Sequence, residues 1–89
     1  MISENDFQET GHVFSLTVSA EPDPGILVRV LTYFQILNVV PGNVVAEVRS
    51  EEMQRIRIET DGLTAKQVSL IAAKIDQLPS VEAVHWCRL

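Results

Sequence analysis

The chain carries a single cysteine, Cys87, so it can form no internal disulfide and cannot assemble a structural zinc site. That usage suits a reducing, cytoplasmic setting. Positive charge is scarce: 7 Lys and Arg stand against 12 Asp and Glu, giving a net charge of -5 and a pI near 4.8. Such a balance argues against a general electrostatic grip on nucleic acid or on an anionic membrane, and neither is expected as a partner. No long apolar run is present. The longest apolar stretch, from Ile26 to Val40, is interrupted by Arg29, Gln35 and Asn38, so no membrane span is expected. The first residues carry Glu4, Asp6 and Glu9 and lack the basic-then-apolar order of a signal peptide.

What is there is ordinary globular material. Hydrophobic residues make up 46% of 89, enough for one domain with one modest core. Residues 1–11 are polar, acidic and aperiodic and are expected to be a flexible arm, with residues 12–89 forming the domain. From His12 to Ala20 the pattern alternates, with Phe14, Leu16, Val18 and Ala20 sharing one face of a half-buried strand. Residues 24–37 place Ile26, Leu27, Val30, Leu31, Phe34 and Leu37 on a broad helical stripe, with Asn38 at the C-terminal cap. Val44–Arg49 and Met53–Thr60 read as two strands close enough to form a hairpin, the former at an edge, starting after Pro41 or bulged there. Thr64 and Gln67 have capping-box spacing at the start of a helix over 64–78 that Pro79 ends, and Val81–Leu89 is a last strand. Phe14, Leu16, Val18, Leu27, Leu31, Ile56, Ile58, Val68, Ile71, Ile75 and Val84 are the expected core.

The chemistry concentrates where the first strand gives way to the first helix, at Glu21-Pro22-Asp23-Pro24-Gly25-Ile26-Leu27. Asp23 can cap the helix through the unpaired N–H groups of its first turn. Pro24 suits the first helical position, where its missing N–H is no loss. Gly25 is a poor helix former. It answers either to an anion approaching the exposed N–H groups or to close packing against a neighbouring strand.

Strand, helix, strand, strand, helix, strand, with two apolar helix stripes to bury, specifies an α+β fold: a ferredoxin-like βαββαβ sandwich. Both helices lie on one face of a four-stranded antiparallel sheet. Right-handed crossovers give the order 4-1-3-2, with the second and fourth strands at the edges. The fold hosts many functions, so the residues must choose among them. The third strand carries no aromatic side chain on which RNA bases would stack. The first loop has no cysteine pair for carrying a metal. His12, His85 and Cys87 do not share a face, Glu51 and Glu52 sit in a solvated turn, and no nucleophile has a positioned base, so no enzymatic activity and no cofactor are expected.

The first strand Val13–Ala20, the Pro24-Gly25-Ile26-Leu27 turn into the helix and the Leu37-Asn38-Val39 lead into the second strand resemble the ACT domains. These are βαββαβ modules that bind amino acids and regulate enzymes of amino-acid metabolism. The resemblance covers roughly residues 12–88 and, within the family, is greatest to the small regulatory subunit of acetolactate synthase. It implies a homodimer paired through second-strand edges, an apolar amino acid at the dimer interface and a larger catalytic subunit as partner. It also implies a ligand carboxylate against the N–H groups of Gly25 and Ile26, with Asp23 nearby. Leu27 and Val39 would line the apolar side, and Asn43 would reach across to a neighbour's loop. Pro22 departs from the family pattern, which usually has an acidic or amide side chain there to meet an ammonium group; Asp23 or Glu21 is left to do so. The alternative is an interaction module of the same fold that pairs chains or docks on a catalytic subunit without any ligand.

Overall fold

A computed structural model describes residues 12–89; the arm expected at residues 1–11 lies outside the described residues. The elements follow the expected order: β1 (Phe14–Ala20), α1 (Pro24–Ile36), β2 (Asn43–Val48), β3 (Gln54–Thr60), α2 (Ala65–Asp76) and β4 (Val81–Arg88). The sheet runs β2-β3-β1-β4 with every pairing antiparallel, which is the 4-1-3-2 arrangement read from its other edge. β2 begins at Asn43, after Pro41, and is an edge strand.

Alternation turns into burial on the two central strands. Phe14, Leu16, Val18 and Ala20 of β1 lie beside Thr60, Ile58, Ile56 and Gln54 of β3, and all eight are buried. On the opposite face Ser15, Thr17 and Ser19 line up with Glu59, Arg57 and Arg55, leaving a polar, helix-free side. Val84 and Trp86 of β4 join the core face opposite Val18 and Leu16, while His85 and Cys87 lie on the open one. β4 slips register between Ser19 and Ala20, skipping Glu82, so its first turn of chain bulges outward.

The helices obey their end signals. Asp23 caps α1, Thr64 and Gln67 exchange both bonds of a capping box at the start of α2, and Gly62 supplies the left-handed conformation (φ 80°) in the preceding turn. α1 ends in a Schellman motif: Asn38 adopts φ 58°, its N–H bonds Gln35 O at 2.9 Å, and the N–H of Val39 bonds Phe34 O at 3.0 Å. Asn38 is therefore the left-handed residue just past the cap, and Leu37 is the cap itself.

The core departs from expectation in three residues. Leu27, Leu31 and Val84 are only half-buried, while Ile26, Val30 and Phe34 form the line by which α1 meets the sheet. A four-residue repeat tracks one helix face more narrowly than the whole apolar stripe, so one flank of the stripe is left over. Val84 is half-buried because β4 is an edge.

Candidate functional site

The β1–α1 loop is held from three sides. The Glu21 N–H donates to Ser80 O at 2.9 Å, which fixes the loop to the start of β4. The Asp23 N–H donates to Glu21 O at 2.7 Å and closes a tight turn around Pro22. From beneath, the Gln54 side-chain amide donates to Glu21 O at 2.8 Å and Asp23 O at 2.9 Å. Gln54 is 8% exposed and stands on the core face of β3, where an unpaired amide would be unfavourable; two carbonyls of the turn satisfy it. Sequence reasoning missed this residue. Its signal was a glutamine in phase with Ile56 and Ile58, at a position the alternation assigns to the interior.

Asp23 Oδ1 accepts the Gly25 N–H at 2.8 Å, and Asp23 O accepts the Ile26 N–H at 3.1 Å. The two donors that the family resemblance assigns to a ligand carboxylate thus already have partners within the turn. A Cβ on Gly25 would lie 3.2 Å from Asp23 Oδ1, and the atoms nearest it are all of the Asp23 carboxylate, with no strand within reach. The glycine makes room for the cap rather than for a neighbouring strand.

Around this turn the strand order gathers carboxylates that are distant in sequence. Glu21 and Pro22 share a shallow depression of about 360 Å³ with Glu51 and Glu52 of the β2–β3 turn and Glu82 of the β4 bulge. The two turn glutamates are solvent-exposed, as their sequence position implies, but they are not isolated. Once the sheet order is known the convergence follows, because the β1 end, the β2–β3 turn and the β4 start share one end of the sheet.

The expected site residues divide between the two ends of α1. Asp23, Gly25, Ile26 and Leu27 cluster at its start. Val39 follows its C-terminus and Asn43 opens β2 opposite Glu59, at the other end of the sheet. A helix of 13 residues separates the groups by about 20 Å. One chain does not bring them together. Ile26 points into the core at 3% exposure, while Leu27 and Val39 are half-buried and Asn43 is exposed.

Leu27 and Leu31 lie on the flank of α1 away from α2. There a groove runs between Leu31, Phe34 and the Val39-Val40-Pro41 segment. Beside it β2 is exposed along its whole length, although Val44, Ala46 and Val48 point to the helix side opposite Ile58, Ile56 and Gln54. No helix covers them, and Val48 is 74% exposed. The Arg49 N–H bonds Met53 O at 2.9 Å, so by the alternation of an antiparallel ladder the backbone groups of Val44, Ala46 and Val48 point outward from the sheet edge. Among the described residues no cluster of His, Cys, Asp and Glu could hold a metal ion, and no helix is long and apolar enough to cross a membrane.

The fold recurs in solved structures. The C-terminal domain of the MgtC protein from Mycobacterium tuberculosis superposes with a TM-score of 0.74 at 13% identity, over 88% of this chain and 87% of that one. A homoserine dehydrogenase from Thiobacillus denitrificans matches with a TM-score of 0.73 at 24% identity; 88% of this chain is covered but only 17% of the dehydrogenase. The ACT domain of a GTP pyrophosphokinase from Chlorobium tepidum gives 0.69 at 10% identity, over 86% of this chain and 96% of that domain. These identities speak for the fold alone. No curated protein matches the sequence significantly. A family model for the ACT-like domain, however, matches residues 6–89, nearly the whole chain, and on that match the chain belongs to the ACT-like domain family.

Proposed function

We propose that the chain is a non-catalytic regulatory module that pairs through β2, takes an apolar amino acid at the interface and modulates a larger catalytic subunit. The narrower reading, a small subunit of the acetolactate synthase type in a cytoplasmic setting, rests on the sequence resemblance. The observation that carries the proposal is the unfinished β2 edge: outward backbone groups, the uncovered residues Val44, Ala46 and Val48, and the apolar flank of α1 beside them. Two β2 strands paired antiparallel about a two-fold axis would extend the sheet to eight strands. Because the strands run in opposite directions, the Asn43 end of one lies beside the Val48 end of the other. The α1 start shares the Val48 end, since Ala20 pairs with Gln54 and Gln54 with Val48. Val39 and Asn43 of a second copy then approach Asp23, Gly25 and Leu27 of the first, and the divided site becomes whole. The acidic depression at Glu21, Glu51, Glu52 and Glu82 supplies partners for an ammonium group in place of the side chain lost at Pro22.

One observation favours the ligand-free assembly module instead. The Gly25 and Ile26 N–H groups are bonded within the turn, so a ligand carboxylate must displace Asp23 Oδ1. Both readings are tested on one set of samples. Sedimentation of the wild type and Val48→Lys at micromolar concentration should give dimer and monomer respectively; a monomeric wild type removes the interface site and leaves the ligand-free module only as one that docks on a catalytic subunit. Calorimetric titration with valine, leucine and isoleucine should then report binding to the dimer. Asp23→Ala, which frees the Gly25 N–H, should tighten it. A stable dimer that binds none of the three leaves the assembly module.

A further inference from the structure

A third cavity lies on the outer, helical surface, away from the β1–α1 turn. α1 and α2 diverge there to leave a cleft of about 100 Å³, apolar on its floor and walls. Leu37 and Ile71 form the floor, and Ile36 and Leu70 stand at the sides. Ile36 is 71% and Leu70 54% exposed, so two large aliphatic side chains border the cleft without being part of the core. The space is about that of three water molecules, which suits one short branched aliphatic group.

Three residues with polar groups, Tyr33, Gln67 and Lys74, line this cleft. The Lys74 ammonium sits 6.0 Å from the centroid of the Tyr33 ring, drawn to its π-face, and both residues line the cleft. Gln67 is fixed by the capping box: its Oε1 accepts the Thr64 N–H at 3.0 Å, which leaves the amide NH2 as its remaining polar group. An ammonium and an amide NH2 are donors, a phenolic hydroxyl can donate or accept, and no carboxylate lines the cleft. From an apolar pocket with a cation and no carboxylate at its rim, we infer a binding site for a short branched aliphatic carboxylate that lacks an ammonium group, such as the deaminated counterpart of an aliphatic amino acid. This is the chemical converse of the β1–α1 turn, whose neighbouring carboxylates favour an ammonium group. The cleft needs neither a dimer nor Asp23, so it stands or falls apart from the function proposed above.

The test is a heteronuclear NMR titration of the full-length, isotope-labelled chain with three probes that share a 3-methylbutyl group: 4-methylpentanoate, leucine and 3-methylbutylamine. The carboxylate should shift amides of residues 33–37 and 67–74 with a dissociation constant on the order of millimolar. Leucine should bind there at least about tenfold more weakly, and the amine should leave those amides unmoved. Lys74→Met, a change at an exposed position that leaves the core intact, should weaken carboxylate binding about tenfold or more, and Lys74→Arg should retain it. Retention of the Phe14 and Leu16 amide shifts in each variant checks the fold. No shift with the carboxylate, equal affinity for leucine, shifts confined to residues 21–26, or unaltered binding by Lys74→Met would each overturn the site.

Discussion

The two strand–helix–strand halves share a topology and differ in how far they close on themselves. In the second half α2 settles low on the sheet, its backbone close to β4 and β1, because the buried side of α2 includes the small residue Ala72. Only Gln77–Ser80 separate it from β4, and the Val81 N–H turns back onto Leu78 O at 3.0 Å. In the first half α1 rides on Ile26, Val30 and Phe34, bulkier spacers, and a six-residue connection from Leu37 to Gly42 carries the chain out to β2. The helix then stops short of its own second strand. Val84 of β4 is half-buried, whereas Val48 of β2 stands in solvent. Both halves end in an edge strand, but only the open half adds an apolar helix flank beside an edge that no helix covers. The difference locates the surface that an assembly would use.

The largest expected effect belongs to the core that both halves share. Leu16, 1% exposed on a central strand, should lose about 2–5 kcal/mol as Leu16→Ala. Denaturant melts followed by Trp86 fluorescence, on the closed half, and by far-UV circular dichroism should move together. Two separated transitions would mean that the halves are distinct units and that their comparison concerns two small folds rather than one. A loss below about 1 kcal/mol would contradict the burial of β1 itself.

Gln54 sharpens the comparison at the junction between halves, because it sits on β3 and holds the loop of the first half. Gln54→Leu removes two part-buried side-chain bonds to the turn carbonyls and should cost about 1–3 kcal/mol. Gln54→Glu should behave differently with pH. Burial and two facing carbonyl oxygens raise the folded-state pKa of the introduced carboxyl above its unfolded value of about 4.3. The protonated acid is tolerated, so the variant is least destabilised below that value and loses stability as pH rises toward the folded pKa. Equal destabilisation at pH 4 and pH 8 would mean that the carbonyls are not bonded to this side chain.

Much of this architecture was legible in the residues, and the reasons are local. Phe14-x-Leu16-x-Val18 and Ile56-x-Ile58 each encode a face within a few residues, and Asp23-Pro24 and Thr64-x-x-Gln67 encode helix starts by hydrogen bonds between near neighbours. The strand order followed from the handedness of crossovers, which no side chain sets. What stayed hidden depends on how far elements sit apart. The stripe on α1 runs from Ile26 to Leu37 without marking which flank meets the sheet; only the packed distance assigns Ile26, Val30 and Phe34 to the core and leaves Leu27 and Leu31 half-covered. The Gln54 clamp spans 31 and 33 residues of sequence, so no window contains both its ends. Gly25 was the opposite case: its meaning lay two residues away, in a carboxylate already read as a cap.

The caps compare the halves on a smaller scale. Thr64 is backed by Gln67 in a reciprocal box, whereas Asp23 serves Gly25 without reciprocation. Each Ala substitution should cost about 1 kcal/mol, within a range of about 0.5–2. In the proposed dimer Asp23→Ala should in addition change amino-acid affinity, and Thr64→Ala should not. Equal effects on binding would detach the α1 start from any ligand role.

The smallest effect carries the sharpest test of that start. At Gly25 two terms of similar size oppose each other. Alanine is the better helix former by up to about 1 kcal/mol, although less at a first-turn position. Its Cβ would stand 3.2 Å from Asp23 Oδ1, closer than such atoms ordinarily approach, so the carboxylate must withdraw by a few tenths of an ångström and the cap loosens. Loss of the whole cap is worth about 1 kcal/mol, so Gly25→Ala should fall within about 0.5 kcal/mol of wild type. In an Asp23→Ala background the crowding atom is gone and the same substitution should stabilise by its full propensity. A double-mutant cycle should therefore return a coupling of about 0.5–1 kcal/mol between two residues that share one hydrogen bond. Zero coupling would mean that the glycine answers to something other than the cap. An anion that displaces the Asp23 carboxylate from the Gly25 N–H would then be the remaining explanation for a glycine in the first turn of α1.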